Sequence, residues 1–338
     1  MQPPSVSPGF GDAPQALGWA QMRVFVAGGA GFIGSHVSRA LLEAGHQVTV
    51  FDNLSNGRRD LVPPAAAFVR GDLKQEQRLA AALAGHDVVI HLAAFVAVPT
   101  SIERPVAFAE NNVVNTVRLL EAMRRAGVRR IVFSSSATVY GVPKRLPLRE
   151  DEPVGVQSNP YGASKVAAEA FVAVYSQLYG FDATLLRYFN PYGPNELCDP
   201  ETHAVPNIVR ASLERRPIPV YWKGEQVRDF IFVEDLARAH VAALPLEGLG
   251  YYNVGTEKGV KVKEILQAVT DILGRPLRID DRGERPGDVH AYYASAAKLR
   301  AATGWRAQVG LEEGLRRTVA YYEALAARPP GKSRRKRP

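Results

Sequence analysis

Short, continuously apolar runs alternate with longer stretches of helical periodicity through the first half of the chain and recur near residue 250. The runs are Arg23-Val24-Phe25-Val26-Ala27, Gln47-Val48-Thr49-Val50-Phe51, Val88-Val89-Ile90, Arg130-Ile131-Val132-Phe133 and Tyr251-Tyr252-Asn253-Val254-Gly255. Apolar runs of this length are typical of strands that are buried on both faces. The alternation from Arg23 to Tyr188 predicts a doubly wound parallel sheet that binds its ligand at the carboxyl edge.

A glycine-rich loop joins the first predicted strand to the first helix. The sequence Gly28-Gly29-Ala30-Gly31-Phe32-Ile33-Gly34 has the spacing G-x-x-G-x-x-G. Gly28 allows a tight turn, and Gly31 lets a pyrophosphate approach the backbone amides at the helix N-terminus. Gly34 allows the helix to pack closely on the strand. We therefore predict a dinucleotide-binding site here.

The ends of later strands suggest how the dinucleotide is bound. Asp52 closes the second strand, where a carboxylate can hydrogen-bond an adenosine ribose diol and repel a 2′-phosphate. This favours NAD over NADP, with Arg58 and Arg59 interpreted as part of a solvated loop. Asp72 could accept a hydrogen bond from the adenine amino group, and the small residues of Leu92-Ala93-Ala94 leave room beside the cofactor.

Tyr161 and Lys165 lie one helical turn apart in Asn159-Pro160-Tyr161-Gly162-Ala163-Ser164-Lys165. A nearby lysine charge favours phenolate, so we expect the pKa of Tyr161 to fall from about 10 toward working pH. Tyr161 is the candidate general base. The hydroxyl cluster Ser134-Ser135-Ser136 follows a buried strand at the carboxyl edge of the sheet. His91 closes another buried strand and is expected to be structural.

Motifs in the second half complete a resemblance to a known family. They are Leu186-Arg187-Tyr188-Phe189-Asn190-Pro191-Tyr192-Gly193-Pro194, Val205-Pro206, the block from Gly224 to Asp235, and Arg285-Pro286-Gly287-Asp288. From about Met22 to Tyr322, the chain resembles the extended short-chain dehydrogenases/reductases of the nucleotide-sugar epimerase group, and the UDP-galactose 4-epimerases most closely. This resemblance implies 4-epimerisation of UDP-glucose/UDP-galactose through a 4-keto intermediate.

The resemblance assigns roles residue by residue. It makes Ser136, Tyr161 and Lys165 catalytic, and Lys165 also contacts the nicotinamide ribose. The implied NAD-binding residues are Gly28, Gly31, Phe32, Ile33, Gly34, Asp52, Asn53, Asp72, Leu73, Leu92, Ala93, Ala94, Asn111, Tyr161, Lys165 and Tyr188. The implied substrate-binding residues are Ser136, Asn190, Val205, Arg228, Arg285 and Tyr292. Arginine suits the diphosphate because its guanidinium stays charged and offers paired donors.

The expected architecture is a Rossmann doubly wound sheet with a smaller substrate-binding α/β lobe. The NAD-binding domain is predicted at 22–188 and 235–256, and the nucleotide-sugar lobe at 189–234 and 257–328. The resemblance also implies a homodimer formed by helices near Ala107–Ala126 and Gly162–Tyr179. Apolar positions on these helices are Val114, Val117, Leu120, Phe171, Val174 and Leu178.

Composition changes this interpretation little. The 338 residues are 46% hydrophobic and 22% charged, and no apolar run is long enough for a membrane span. We expect a cytoplasmic protein with neither a membrane nor a nucleic-acid partner, because the net charge of +8 is concentrated in a disordered basic tail at 329–338. Residues 1–21 are predicted to be a disordered extension. Cys198 is interpreted as a spectator thiol, and the scattered histidines indicate no metal site.

Alternatives remain open at the level of substrate. Ala137-Thr138 stands where related 4,6-dehydratases carry Asp-Glu, which disfavours dehydration. The stretch Ala97–Ile102 resembles epimerases of N-acetylated sugars, whereas Tyr292 resembles a bulky gate that favours non-acetylated ones. UDP-glucose/UDP-galactose is favoured, with N-acetylated or uronic UDP-sugars as the alternative. A non-catalytic NAD-binding module is the alternative from another class.

Overall fold

The computed structural model describes residues 20–197, 203–284 and 289–327. Its strands are β1 Arg23–Ala27, β2 Gln47–Asp52, β3 Ala67–Arg70, β4 Val88–His91, β5 Arg130–Ser136, β6 Asp182–Tyr188, β7 Asn190–Tyr192, β8 Ile218–Val220, β9 Val227–Arg228, β10 Phe230–Phe232, β11 Leu249–Val254, β12 Val260–Lys261, β13 Ile279–Asp281 and β14 Ala291–Tyr292. The predictions for the basic tail, for Cys198 and for Arg285 lie outside the described residues, as does the N-terminal extension apart from Ala20 and Gln21.

Helices connect most of these strands. They are α1 Phe32–Glu43, α2 Glu76–Leu83, α3 Val98–Glu103, α4 Pro105–Phe108, α5 Asn115–Ala126, α6 Pro160–Tyr179, α7 Ala204–Leu213, α8 Val233–Ala243, α9 Val262–Leu273, α10 Ala297–Thr303 and α11 Leu311–Ala327. A π-helical segment, Ala109–Val114, joins α4 to α5, and Ala137–Tyr140 forms a 3₁₀ turn after β5. Among the described helices, none has both the length and the apolar character that crossing a bilayer requires.

The main sheet has seven parallel strands in the order β11-β6-β5-β4-β1-β2-β3. This order confirms the predicted doubly wound α/β fold. The chain leaves β1 toward β2 and β3, and then returns to β4 on the other side of β1. A crevice opens at such a reversal, outside the carboxyl ends of the strands. The glycine loop after β1 and the Leu92 segment after β4 both lie there.

Both faces of the sheet are apolar, which explains the continuous hydrophobic runs. On β1, Val24 and Val26 belong to one buried core cluster, and Phe25 and Ala27 belong to the opposite one. Helices α1 and α8 pack against each other, as do α2 and α5. Because successive strand residues point to opposite faces, each residue of β1 that follows Arg23 is buried.

A smaller lobe has its own core and three short sheets. These pair β7 with β10, β9 with β12 and β14, and β8 with β13. Its core joins strand residues such as Tyr192 and Phe232 to Ile265 of α9 and Leu315 of α11. Within the range predicted for this lobe, Leu299 and Trp305 instead join a core cluster of the main sheet. Part of the range predicted for the smaller lobe, 257–328, therefore packs against the main sheet instead.

Candidate active site

The carboxyl end of β5 carries the serine cluster. The strand extends to Ser136, further than its apolar run predicts, because Ser134, Ser135 and Ser136 continue the parallel pairing with β6. At Ser136 the backbone turns, and its Oγ accepts a hydrogen bond of 3.3 Å from the Thr138 amide. The Ser136 side chain is thus placed at the edge of the sheet where a ligand can reach it.

Tyr161 and Lys165 lie in the first two turns of α6. Asn159 caps this helix, since its Oδ1 accepts a hydrogen bond of 2.9 Å from the Gly162 amide, and Pro160 occupies the first helical position. Both of these predicted catalytic residues are buried, with 8% of Tyr161 and 3% of Lys165 exposed. The cap and the proline fix where the helix begins, and they thereby fix the position of Tyr161.

The pKa of Tyr161 differs from the sequence-based expectation. Burial raises it above the usual value, a hydrogen bond with the Ser136 side chain opposes that rise, and Tyr292 adds to it. The expectation that Lys165 lowers it is wrong for the protein alone. Lys165 Nζ donates to the Ser134 carbonyl at 2.8 Å, and burial lowers the pKa of Lys165 to about 8. Desolvation, a tertiary effect, outweighs the helical spacing of the pair.

His91 has the structural environment that its position suggests. Its Nε2 lies 3.0 Å from Thr116 Oγ1, and its ring packs 5.6 Å from the Phe133 ring. Burial, aided by the charge of Lys165, lowers the pKa of His91 to about 3. The imidazole is therefore uncharged at neutral pH and is not suited to proton transfer there.

An open cleft lies at the reversal of the sheet. Ten predicted cofactor residues line it: Gly28, Gly31, Asp52, Asn53, Asp72, Leu73, Leu92, Ala93, Ala94 and Asn111. Phe51, Ser55, Asn56, Gly57, Gly71, Phe95 and Asn115 line it as well and were not predicted. The remaining predicted cofactor residues, Phe32, Ile33, Gly34, Tyr161, Lys165 and Tyr188, are not among its lining residues. Phe32, Ile33 and Gly34 form the first turn of α1.

At Gly28 and Gly34 the glycine loop lies so close to neighbouring backbone atoms that there is no room for a side chain. Gly28 has φ +84°, and a Cβ there would lie 2.6 Å from the Ala93 amide nitrogen. A Cβ on Gly34 would lie 2.3 Å from the Gly28 carbonyl oxygen. Helix α1 begins after Gly31 without a side-chain cap, so its first amides remain available to an anion. A dinucleotide diphosphate fits this donor set.

The two carboxylates of the cleft are already held in place. Asp52 accepts hydrogen bonds from the Ala30 amide at 3.0 Å and the Leu54 amide at 2.8 Å. Burial raises the pKa of Asp52, and these two bonds oppose the rise. Asp72 accepts from Asn53 Nδ2 at 2.8 Å. Because each carboxylate oxygen can accept more than one hydrogen bond, both side chains keep capacity for ribose or adenine.

Three of the predicted substrate residues meet at the junction with the smaller lobe. The Tyr292 hydroxyl donates to Asn190 Oδ1 at 3.0 Å, and the Arg228 guanidinium lies 4.6 Å from the centre of the Tyr292 ring. Val205, in contrast, is 1% exposed and belongs to the core of the lobe. Its side chain therefore packs in the core of the lobe and does not reach a ligand.

Two positioning residues are missing from the sequence-based prediction. Asn112 accepts from the Phe95 amide and donates to the Phe95 carbonyl and to Ser164 Oγ, at 2.8, 2.9 and 3.0 Å, and so ties the cleft to α6. Asp229 is fully buried and accepts hydrogen bonds from Thr256, Glu257 and Ala294. Asp229 follows Arg228 directly, which is the signal that could have marked it.

Tyr188 lies deeper than a direct ligand contact requires. It closes β6 beside Ser136, and its hydroxyl lies 2.5 Å from His240 Nε2. Burial raises the pKa of Tyr188 and lowers the pKa of His240 to about 4. The pair is therefore neutral, and it supports the floor of the site.

Comparison with known proteins gives consistent similarities. A model of the NAD dependent epimerase/dehydratase family matches residues 24–255. A UDP-glucose 4-epimerase of Rhizobium leguminosarum bv. trifolii is 40% identical over 312 residues, which cover 87% of this chain and 95% of that one. The crystal structure of a Thermus thermophilus UDP-glucose 4-epimerase in complex with NAD has a TM-score of 0.83 and 39% identity, covering 89% of this chain and 99% of that one.

A third similarity concerns a different sugar. The UDP-N-acetylglucosamine 4-epimerase from Methanobrevibacter ruminantium M1, in complex with UDP-N-acetylmuramic acid, has a TM-score of 0.85 and 31% identity. The match covers 91% of this chain and all of that one. Similarity therefore extends to enzymes that are named for acetylated and for non-acetylated sugars.

Proposed function

Because this chain belongs to the NAD dependent epimerase/dehydratase family, we propose that it interconverts UDP-glucose and UDP-galactose. It is an NAD-dependent enzyme that epimerises UDP-sugars at C4. Its curated relatives are named UDP-glucose 4-epimerases, and structural neighbours with that name have been solved with NAD. The observation that supports the mechanism best is the buried cluster in which Ser136 hydrogen-bonds Tyr161 while Lys165 lies one turn away.

In the proposed mechanism, Tyr161 takes the proton of the sugar 4-hydroxyl and later returns it. Ser136 holds that oxygen during both transfers. When bound, NAD supplies a hydride acceptor for C4, the same hydride for the opposite face of the keto sugar, and a positively charged ring. Burial raises the pKa of Tyr161 and the hydrogen bond with Ser136 opposes the rise, so in the protein alone its base form is stabilised by that hydroxyl. With NAD and substrate bound, we propose that the Lys165 ammonium adds to this stabilisation.

Asn190, Arg228 and Tyr292 are proposed to bind the nucleotide sugar. The Arg228 guanidinium suits the diphosphate. The Asn190 side chain is fixed in place because its Nδ2 donates to the Asp229 carbonyl at 3.0 Å. The Tyr292 hydroxyl bond to Asn190 keeps the phenol ring in one place beside them. A fixed ring of this size supports the non-acetylated sugars over their N-acetylated analogues.

Product analysis tests the proposed function. Purified protein is incubated with UDP-galactose without added reductant, and nucleotide sugars are separated by anion-exchange chromatography. The expected result is UDP-glucose at a catalytic excess over enzyme. Conversion of UDP-N-acetylglucosamine with untouched UDP-galactose would contradict the proposed sugar pair, and failure with every UDP-sugar would contradict the activity.

Substitution of Tyr292 is expected to change the choice of sugar. Tyr292→Ser removes the ring and should raise the ratio of kcat/KM for UDP-N-acetylglucosamine over UDP-glucose roughly tenfold or more, the scale of steric discrimination in a pocket. Tyr292→Phe is the matched control, because it keeps the ring and removes the hydroxyl that donates to Asn190. Equal shifts in both variants would show that the hydroxyl, and not the bulk, sets the preference.

We also propose a homodimer that buries apolar side chains of α4 to α6. Val106, Val114, Phe171, Val174 and Leu178 are between 41% and 70% exposed. Leu120, an apolar position for which the sequence left open burial against the same chain or against a partner, is fully buried in the core of its own chain. A two-helix surface of this kind is typical of an interface between copies.

A charged substitution on α6 should dissociate this dimer. Leu178→Glu introduces a charge at a 67% exposed position, so sedimentation is expected to shift from dimer to monomer. Val156→Glu is the control, because Val156 is 93% exposed and lies on the loop before α6. A wild-type protein that sediments as a monomer at micromolar concentration would contradict the proposal.

A further inference from the structure

The end of β5 and one face of α6 are joined residue by residue. The three contacts are Ser136 with Tyr161, Ser134 with Lys165 at 2.8 Å, and Ser135 with Glu169 at 2.5 Å. On the helix these partners are spaced by four residues, so they follow one face over three turns. The first two contacts hold proposed catalytic side chains. The third contact, at Glu169, has no role in the proposed mechanism.

Glu169 is paired with Arg187 in the interior of the protein. The Arg187 Nε and Nη2 atoms donate to the two Glu169 carboxylate oxygens at 3.0 and 2.8 Å, and only about one twentieth of either side chain is exposed. Arg187 lies on β6, directly opposite Ser135 of β5. Its guanidinium carbon is 4.8 Å from the ring centres of both Tyr140 and Tyr251. The guanidinium is therefore fixed by two aromatic rings as well as by the Glu169 carboxylate.

We propose that Arg187 is a positioning residue for the epimerisation, because it holds the Glu169 carboxylate and so leaves the Lys165 ammonium directed at Ser134 and the site. This inference rests on the proposed function. A buried carboxylate that loses its partner is strongly attracted to the next cation. Lys165 is that cation, four residues before Glu169 on the same helix face, and its ammonium would turn away from the serines.

Among the groups around Lys165, Glu169 is the one whose charge acts on the Lys165 ammonium. From β4, His91 is neutral because its pKa is lowered to about 3. In the protein alone, burial raises the pKa of Tyr161 on α6 and of Tyr188 on β6, so neither phenol carries a charge there. From β5, the Phe133 ring lies 5.3 Å from the Lys165 ammonium. Burial lowers the pKa of Lys165 to about 8, and the Glu169 charge opposes this.

The pH dependence of kcat provides a readout of this arrangement. Lys165 is charged below pH 8 and loses its charge as the pH rises through about 8, so wild-type kcat should fall on the alkaline side. In Arg187→Met the unpaired Glu169 charge should raise the pKa of Lys165. The alkaline limb, which is the fall of kcat at high pH, should then move to higher pH by roughly one pH unit. The displaced ammonium should also lower kcat roughly tenfold or more.

Removal of the second charge should reverse both effects. The double variant Glu169→Gln/Arg187→Met leaves no unpaired charge, so kcat should recover to within about threefold of wild type and the limb should return. Glu169→Gln alone removes the carboxylate and leaves the Arg187 charge unpaired, so the pKa of Lys165 should fall and the alkaline limb should move to lower pH. Arg130→Met is the matched control: it breaks the 3.3 Å pair with Asp182 at the opposite end of β5 and β6, and the limb should stay in place.

Several outcomes separate this inference from a structural role. An unmoved alkaline limb in Arg187→Met and Glu169→Gln, or a double variant less active than Arg187→Met, would overturn it. If Arg187→Met does not fold, the downward shift in Glu169→Gln decides the question. If the wild type epimerises no UDP-sugar, the proposed function fails, and retention of NAD becomes the readout. It should be lost in Arg187→Met and restored in the double variant.

Discussion

Tyr161→Phe is expected to lower kcat roughly 10³-fold while the protein still retains NAD, because a positioned acid–base group contributes about that factor. The substitution removes one oxygen, which hydrogen-bonds Ser136 and takes the sugar proton in the proposed mechanism. The ring stays in its buried position, so the cofactor cleft should keep its shape. Turnover is measured with UDP-galactose, and bound NAD is measured by absorbance after gel filtration.

The control for this prediction is Tyr175→Phe on the same helix. The Tyr175 hydroxyl donates to Glu121 Oε1 at 2.6 Å, away from the serine cluster, and its loss should leave kcat unchanged. Unchanged turnover in Tyr161→Phe would remove Tyr161 from the mechanism. A wild-type protein that binds NAD and turns over no UDP-sugar would support a non-catalytic NAD-binding module.

Gly34→Ala is expected to abolish NAD retention and to destabilise the fold by roughly 1–3 kcal/mol, the usual cost of overpacking. Its Cβ would lie 2.3 Å from the Gly28 carbonyl oxygen and 2.6 Å from the Gly29 Cα. Both are backbone atoms of the loop, so the loop itself must move. A moved loop no longer presents the first amides of α1 to the dinucleotide diphosphate.

Gly310→Ala provides the comparison for this second prediction. A Cβ on Gly310 would meet nothing within 4 Å, so both NAD retention and the melting temperature should stay near the wild-type values. Thermal unfolding and titration with NAD check both variants. NAD affinity in Gly34→Ala equal to that in Gly310→Ala would show that the loop tolerates the methyl group.

Features that depend on neighbouring residues in the sequence could be predicted well. The apolar runs predicted the strand positions, and the loop from Gly28 to Gly34 predicted a binding site where the structure has a cleft, because strand burial and glycine spacing are local patterns. The apolar run before Ser134 likewise predicted that the serine cluster lies at the carboxyl end of a strand, as it does at the end of β5.

Features that depend on burial could not be predicted in this way. The raised pKa of Tyr161 comes from desolvation, which the helical spacing to Lys165 does not reveal. Arg187 and Glu169 belong to different elements, so their pairing is set by the register of β5 with β6 and by the rotation of α6. Leu120 shows the same difficulty, since periodicity gives an apolar face without saying what covers it.

The core of the smaller lobe has a consequence for the order of folding. Its members extend along the chain from Tyr192 to Tyr322, and Tyr192 and Phe232 pack in one cluster with Leu315 and Val319 of α11. A nascent chain can pair β1 to β6 as soon as Tyr188 has left the ribosome, whereas the lobe must wait for nearly the last helix. During synthesis, the strands that carry the proposed dinucleotide site can therefore pair before the core of the lobe with the proposed sugar-nucleotide site is complete.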